Sequence, residues 1–190
     1  MKRLIISLKI FLFFTILTGI IYPLFVTGIA EIIFPGKING SIIYKNNIPV
    51  GSSLIGQKFD TAIYFSSRPS ATDYNALPSG GSNLGPASSK LKEEVRNRAN
   101  HFLQSNHLPD STIIPDEMLF ASASGLDPHI SIQSALLQLN RVAASRNYNE
   151  RQKKELLNLI YKHLEPPLFN VLGEPVINVL LLNLDVDTIK

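Results

Sequence analysis

The sequence predicts a single N-terminal transmembrane helix followed by one mixed α/β (α+β) extracytoplasmic domain. Three observations carry this. Ile10 to Ala30 runs for twenty-one residues without a formal charge. At about 1.5 Å of rise per residue, a helix of that length spans the roughly 30 Å hydrocarbon core of a bilayer. Basic residues crowd its N-terminal flank. Beyond it, stretches of helical periodicity alternate with short β-branched runs. The expected division is 1–34 for the cytoplasmic flank and helix, and 35–190 for the soluble domain.

The apolar run satisfies its own backbone as a helix, which lipid requires. The remaining length of the 190-residue chain suits one compact domain of about 150 residues. No second run approaches the eighteen or so apolar residues needed to span. A cleaved signal peptide is the alternative, because Gly28-Ile29-Ala30 is a small-x-small triplet before Glu31. The run, however, exceeds the usual h-region of about 7–15 residues. Lys2, Arg3 and Lys9 lie at its start, while Glu31 closes it and only Lys37 and Lys45 follow nearby. The positive-inside rule then puts the N-terminus in the cytoplasm and the domain outside.

At 100° per residue, Thr15, Thr18, Gly19, Tyr22 and Val26 share one helix face. Small residues admit a second helix, and hydroxyls hydrogen-bond across such a contact. Pro23 cannot donate to the Gly19 carbonyl, so a kink is expected. Thr18, Gly19, Tyr22 and Pro23 are therefore the candidate contacts with a membrane partner.

Of 18 basic and 15 acidic residues, setting aside those three basic residues and Glu31 leaves 15 and 14, a net of +1. A nearly neutral body gives no nucleic-acid surface. With no cysteine in the chain, disulfides, thiolate chemistry, a cysteine-ligated zinc and a lipidated cysteine are excluded.

Phe34-Pro35-Gly36 ends the helix. Ser41–Tyr44 and Pro49–Ile55, with Asn46-Asn47 between them, read as a hairpin. Ser66 to Ser89 is rich in Ser, Gly, Pro and Asn. Composition alone suggests a linker, but Tyr64, Phe65, Tyr74 and Leu84 favour an ordered loop, and loops of such length are usually functional. A helix over about Lys90–Gln104 lines Leu91, Val95, Ala99, Phe102 and Leu103 on one face. Pro115-Asp116 opens a short element through Phe120. Ser131 caps a helix over Ile132–Arg146 whose stripe is Ile132, Ala135, Leu136, Leu139, Val142 and Ala143. Asn149 and Gln152 form a capping box for a third helix, through Leu156, Leu157, Ile160 and Leu164, that Pro166-Pro167 stops. Pro175–Val186 reads as a largely buried strand.

The sequence presents no catalytic set. There is no P-loop. Neither Ser82 nor Ser124 sits in a G-x-S-x-G elbow. Asp127, His129 and Ser122 or Ser124 suggest a triad and hence an anchored extracytoplasmic hydrolase, but neighbours in sequence rarely line up as nucleophile, base and orienter. A tight turn that Asp127-Pro128 initiates and Ser131 caps is the preferred explanation. The four histidines (His101, His107, His129, His163) have no metal-ligand spacing, so no metal is expected. Ser79, Gly80, Gly81 and Ser82 form either a glycine turn or an anion-binding nest. Arg68 is open between a partner within the domain, Asp73 being near in sequence, and a carboxylate or carbonyl on another protein. Arg68, Ser79, Gly80, Gly81 and Asn83 are the candidate contacts of the domain with a partner.

Several motifs then stand together. They are Leu17 to Leu24, Gly51 to Phe59, Tyr64 to Ala71, Ser79 to Pro86, Ala121 to Ser131, Gln138 to Ala143 and Gly173-Glu174-Pro175. In this order and spacing the chain resembles the C-subunit family of the Kdp potassium-transporting ATPase, KdpC, over nearly its whole length. The resemblance implies an accessory, non-catalytic subunit of a high-affinity potassium importer in the bacterial inner membrane. It implies three partner subunits: one channel-like and potassium-binding, one a P-type ATPase that hydrolyses ATP, and one small and helical. No cofactor is required. ATP is implied only through the family's description as a catalytic chaperone, which raises the ATPase subunit's nucleotide affinity in a ternary complex. On that reading Gln138 contacts the nucleotide, and Ser122, Ser124 and Gly125 belong to a stretch likened to an ABC-type signature. Charge-derived topology places Gln138 on the other side of the membrane from a cytoplasmic nucleotide site, so the two expectations conflict. The chain departs from the family's usual tail at Val176, where Arg is expected, and at Leu181, where an acid is common.

Overall fold

The computed structural model describes residues 1–190. It divides into two compact units, Met1–Ser52 and Ser53–Lys190. In the first, α1 (Lys2–Ile16) passes through a π-helical turn (Leu17–Ile21) into α2 (Tyr22–Ile33). The result is one 32-residue run, Lys2–Ile33, long and apolar enough to cross a membrane and with none of its hydrophobic window buried. The wide turn ends two residues before Pro23, the residue that cannot donate to the helical ladder. The Tyr22 N–H bonds back to the Leu17 carbonyl, five residues away. A wide turn rotates the residues beyond it, so a face drawn at a constant 100° step does not run straight through Gly19.

The hairpin follows as expected. β1 (Ile42–Lys45) pairs antiparallel with β2 (Ile48–Ser52). Asn46 and Asn47 both take left-handed backbone, φ 53° and 63°. That is the two-residue turn whose twist matches paired strands, and asparagine tolerates it well.

The second unit has no helix or strand before Ser89. Then come α3 (Ser89–Ser105), a 3₁₀ turn (Asp116–Met118), β3 (His129–Ile130), α4 (Ile132–Ser145), α5 (Glu150–Lys162), β4 (Leu164–Glu165), β5 (Val176–Asn178) and α6 (Val179–Val186). The predicted caps form. The Ser131 hydroxyl accepts from the Ser134 N–H, and Asn149 and Gln152 make the reciprocal box. The three short strands run antiparallel in the order β3–β5–β4. The core gathers Phe65, Phe102, Met118, Ile130, Leu139, Val142, Leu156, Ile160, Ile177 and Leu182.

Three expectations need correction. The tail is a three-residue strand and then a helix, because the Asn178 side chain caps α6 by accepting from the Leu181 N–H. An apolar run buried on every side has no periodicity to separate strand from helix. Leu164 leaves the third helix and pairs across from Ile177 in the sheet. Leu136 lies at the edge of its stripe and is exposed.

Ile177 is fully buried on the central strand, so Ile177→Ala is expected to cost about 2–5 kcal/mol. Asn149→Ala removes one exposed cap and should cost about 1 kcal/mol. Thermal unfolding of the detergent-solubilised chain distinguishes the two.

Candidate functional site

Residues 62–66 run from a turn into irregular chain that buries Phe65, and lie in no sheet. Buried backbone groups must find partners, and here side chains supply them. The Arg141 Nη1 donates to the carbonyls of Ala62 (2.7 Å) and Tyr64 (2.9 Å). The Arg146 Nε donates to Ile63 (2.7 Å). Asn183 brackets Phe65, accepting from its N–H at 2.8 Å and donating to its carbonyl at 2.9 Å. Gln138 does the same for Ser66, at 2.7 and 3.3 Å. Two amides thus imitate neighbouring strands.

Gln138 is saturated. It is wholly buried. Its Oε1 accepts from Ser66 N–H and, at 2.8 Å, from Arg141 Nη2; its Nε2 donates to the carbonyls of Ser66 and Ser134. An amide has two acceptor and two donor positions, and all four are used. A nucleotide contact there would have to displace one of these bonds. Arg141 also donates to Asn106 Oδ1 at 2.8 Å. All its hydrogen-bond partners are neutral oxygens, and burial pushes its pKa down. Beside it opens a cavity of about 650 Å³, walled by Phe59, Tyr74, Arg98, Phe102 and Met118.

The serine–glycine turn faces a different stretch. The Ser122 N–H donates to the Pro69 carbonyl at 3.3 Å, and the Gly80 N–H to the Ser124 carbonyl at 3.0 Å. Gly125 has φ +70°, and a Cβ there would meet the Gly80 carbonyl and Thr72 Oγ1 at 2.8 Å. Gly56 is as tightly held, since a Cβ would come within 2.6 Å of the Asp127 carbonyl. Loops carrying Gly56, Ser70, Thr72, Gly80 and Gly125 therefore meet at one packed point. The Ser124 hydroxyl accepts from Leu126 N–H, and the Ser122 hydroxyl from Asp127 N–H. His129 Nδ1 lies 3.5 Å from Asp127 Oδ1. Gln138 and the Ser122–Gly125 turn engage different ends of the Ser66–Thr72 stretch and share no hydrogen bond.

Arg68 pairs within the domain, but with Asp127 (2.7 Å) and not Asp73. Asp73 pairs with Lys58 at 2.7 Å. The Tyr74 hydroxyl donates to the Arg68 carbonyl, and burial, with Asp60 and Asp73 nearby, pushes its pKa up to about 12. Burial alone would raise Asp127. The hydrogen bonds from His129 and the Arg68 cation outweigh it and hold the carboxyl below its usual range. Arg68 Nε is buried without a partner. Of the loop residues expected to meet a partner, Ser79 and Asn83 are exposed, while Gly80 and Gly81 back onto Ser124 and Ala123. In the helix, the Thr18 hydroxyl donates to the Phe14 carbonyl at 2.7 Å, leaving only its acceptor positions free. Tyr22 is exposed and Gly19 has open space beside it. Val176 and Leu181 are both half-buried.

Sequence reasoning missed Asn183, Arg146 and Asn106. A signal existed for the first: an asparagine inside the apolar run Val179–Leu184. Gln138 carried the same signal, with Ala135 and Val142 of the stripe at i−3 and i+4.

One helix able to cross a bilayer, joined to one α+β body, defines a membrane-associated single-helix protein. The K+-transporting ATPase c chain family, KdpC, matches residues 4–188. Curated proteins called potassium-transporting ATPase KdpC subunit are similar across their length. That of Photorhabdus laumondii is 45% identical over 186 residues, covering 96% of this chain and 94% of the relative. That of Methylibium petroleiphilum is 46% identical over 185 residues, covering 95% and 94%. That of Mycobacterium tuberculosis is 41% identical over 188 residues, covering 98% of each. The chain belongs to the KdpC family, and so to the subunits of the potassium-transporting Kdp complex.

Gln138→Ala is expected to destabilise the body by about 1–3 kcal/mol for each group it strands, with or without nucleotide, as thermal unfolding would measure. Asp127 has a folded pKa below its unfolded value of about 3.9. Its stabilisation is therefore present above that value and lost as pH falls through the folded pKa. Asp127→Asn should lower stability at neutral pH and flatten the decline below about pH 4, as denaturant titrations across that range would record.

Proposed function

We propose that the chain is a non-catalytic accessory subunit needed for assembly and activity of an ATP-driven potassium importer. The observation that carries this is the Lys2–Ile33 helix: apolar, unpartnered in the isolated chain, with Lys2, Arg3 and Lys9 at its N-terminal end and Glu31 at the other, Lys37 and Lys45 lying beyond. A helix with Thr18, Gly19, Tyr22 and Pro23 at its wide turn suits packing against another membrane helix better than a lone anchor. Its flanking charge favours a cytoplasmic N-terminus and an external body. From there the body would brace the channel-like subunit or shape the ion entrance, with the P-type ATPase and small helical subunits completing the complex.

The saturation of Gln138 supports a bracing role for that residue over the nucleotide contact of the chaperone reading. Ser124 and Ser122 spend their hydroxyls on the turn's own backbone, which favours a packing role over a hydrolase. ATP then acts on the complex through the hydrolysing subunit.

Two measurements test the proposal. The chain has no cysteine, so Lys190→Cys gives one thiol. Labelling of intact cells by a membrane-impermeant maleimide is expected, and labelling only after lysis would overturn the topology and revive direct ATP contact. Gly19→Leu should reduce co-purification with the tagged ATPase subunit by about tenfold, and an unchanged yield would sink the helix-docking role.

A further inference from the structure

The β4–β5 connection carries the most exposed apolar cluster of the body. Leu168, Phe169, Val171 and Leu172 are 62, 82, 79 and 60% exposed. Large contiguous apolar patches on soluble surfaces mark interaction sites. Pro166 to Gly173 contains no charge, and exposed Glu165 and Glu174 stand on either side.

The tip is built, not loose. Leu168 and Leu172 exchange both backbone hydrogen bonds at 3.0 Å, and the Asn170 N–H donates to the Pro167 carbonyl at 2.8 Å. Phe169 and Asn170 take left-handed backbone, φ 56° and 58°. Asparagine accepts that readily, but a bulky phenylalanine does so at a cost of about 1–2 kcal/mol. The base is firm, because β5 is the central strand and Ile177 is fully buried. A rigid turn thus holds an aromatic and three aliphatic side chains in water. Preorganised apolar anchors are what interface hot spots use.

The charge pattern selects the occupant. Two carboxylates flank the tip, and an anionic membrane surface would repel them. A protein recess with an apolar floor and a basic rim would pair with them. We propose that Leu168–Leu172 is a plug that seats in such a recess on another subunit of the same transport complex. This rests on the accessory-subunit reading above.

The test uses the full chain in the assembled complex. Phe169→Cys, in a chain without other cysteines, carries an environment-sensitive bimane on the tip. The expected result is emission typical of water for the chain alone in phosphatidylcholine–phosphatidylglycerol vesicles, and a blue shift once it is assembled with its partner subunits. A blue shift in the vesicles alone overturns the proposal in favour of the bilayer. Water-like emission in the assembled complex overturns it outright. Phe169→Asp with Leu172→Asp should leave thermal unfolding of the chain unchanged and lower its retention on a tagged partner subunit by about tenfold or more. Undiminished retention counts equally against the plug. If the unaltered chain itself fails to co-purify, the accessory-subunit reading has failed rather than the plug.

Discussion

The body depends on how five successive carbonyls, Ala62 to Ser66, are paired. None has a strand beside it. Each accepts a hydrogen bond from a side chain on α4, its C-terminal cap Arg146, or α6. Made, such a bond contributes about 1 kcal/mol net; left unmade in a buried place, the group costs about 1–3 kcal/mol. The asymmetry forces the arrangement, since Phe65 can enter the core only if its flanking backbone is satisfied. Arg146 extends the tie, meeting Asp187 at 2.8 Å and lying over the Tyr64 ring at 4.9 Å.

That constraint bears directly on the chemistry of Gln138. A residue read as a nucleotide contact is, in this structure, the splint of an unpaired segment and a partner of Arg141. The serine–glycine turn has the same character. Its small residues admit the carbonyl of Gly80 and the side chains of Ser70 and Thr72, and its hydroxyls are spent locally. Of the motifs that carry the family likeness, Tyr64–Ala71, Ser79–Pro86 and Ala121–Ser131 meet at one place, and Gln138 holds the far end of the first, because irregular backbone needs close, specific packing. A long loop without helix or strand is ordered here by contacts to Ala121–Asp127 and to α4 and α6.

The membrane segment follows a separate logic. Lipid demands a continuous ladder, while Pro23 removes one donor. The π turn absorbs the defect within the helix, and Thr18 bonds to the carbonyl of Phe14 in the turn before it. Thr18 and Gly19 therefore lie in irregular helix and Tyr22-Pro23 at its edge. Such wide turns often occur at functional positions.

By itself the sequence determined whatever depends on local rules. The helix long and apolar enough to span came from length and hydropathy, and its expected orientation from flanking charge. The Asn-Asn hairpin, the caps at Ser131 and Asn149, and the stripe of α4 came from short-range stereochemistry. The ordered motifs gave the family likeness, which the relatives establish. Only the tertiary structure decided the tail, where an apolar run buried all round has no period to read. It alone chose Asp127 over Asp73 for Arg68, and gave Gln138 and Asn183 their carbonyl and amide partners more than seventy residues away. Pairing of buried polar groups is settled by which backbone remains unsatisfied after the chain has collapsed, and no local pattern records that.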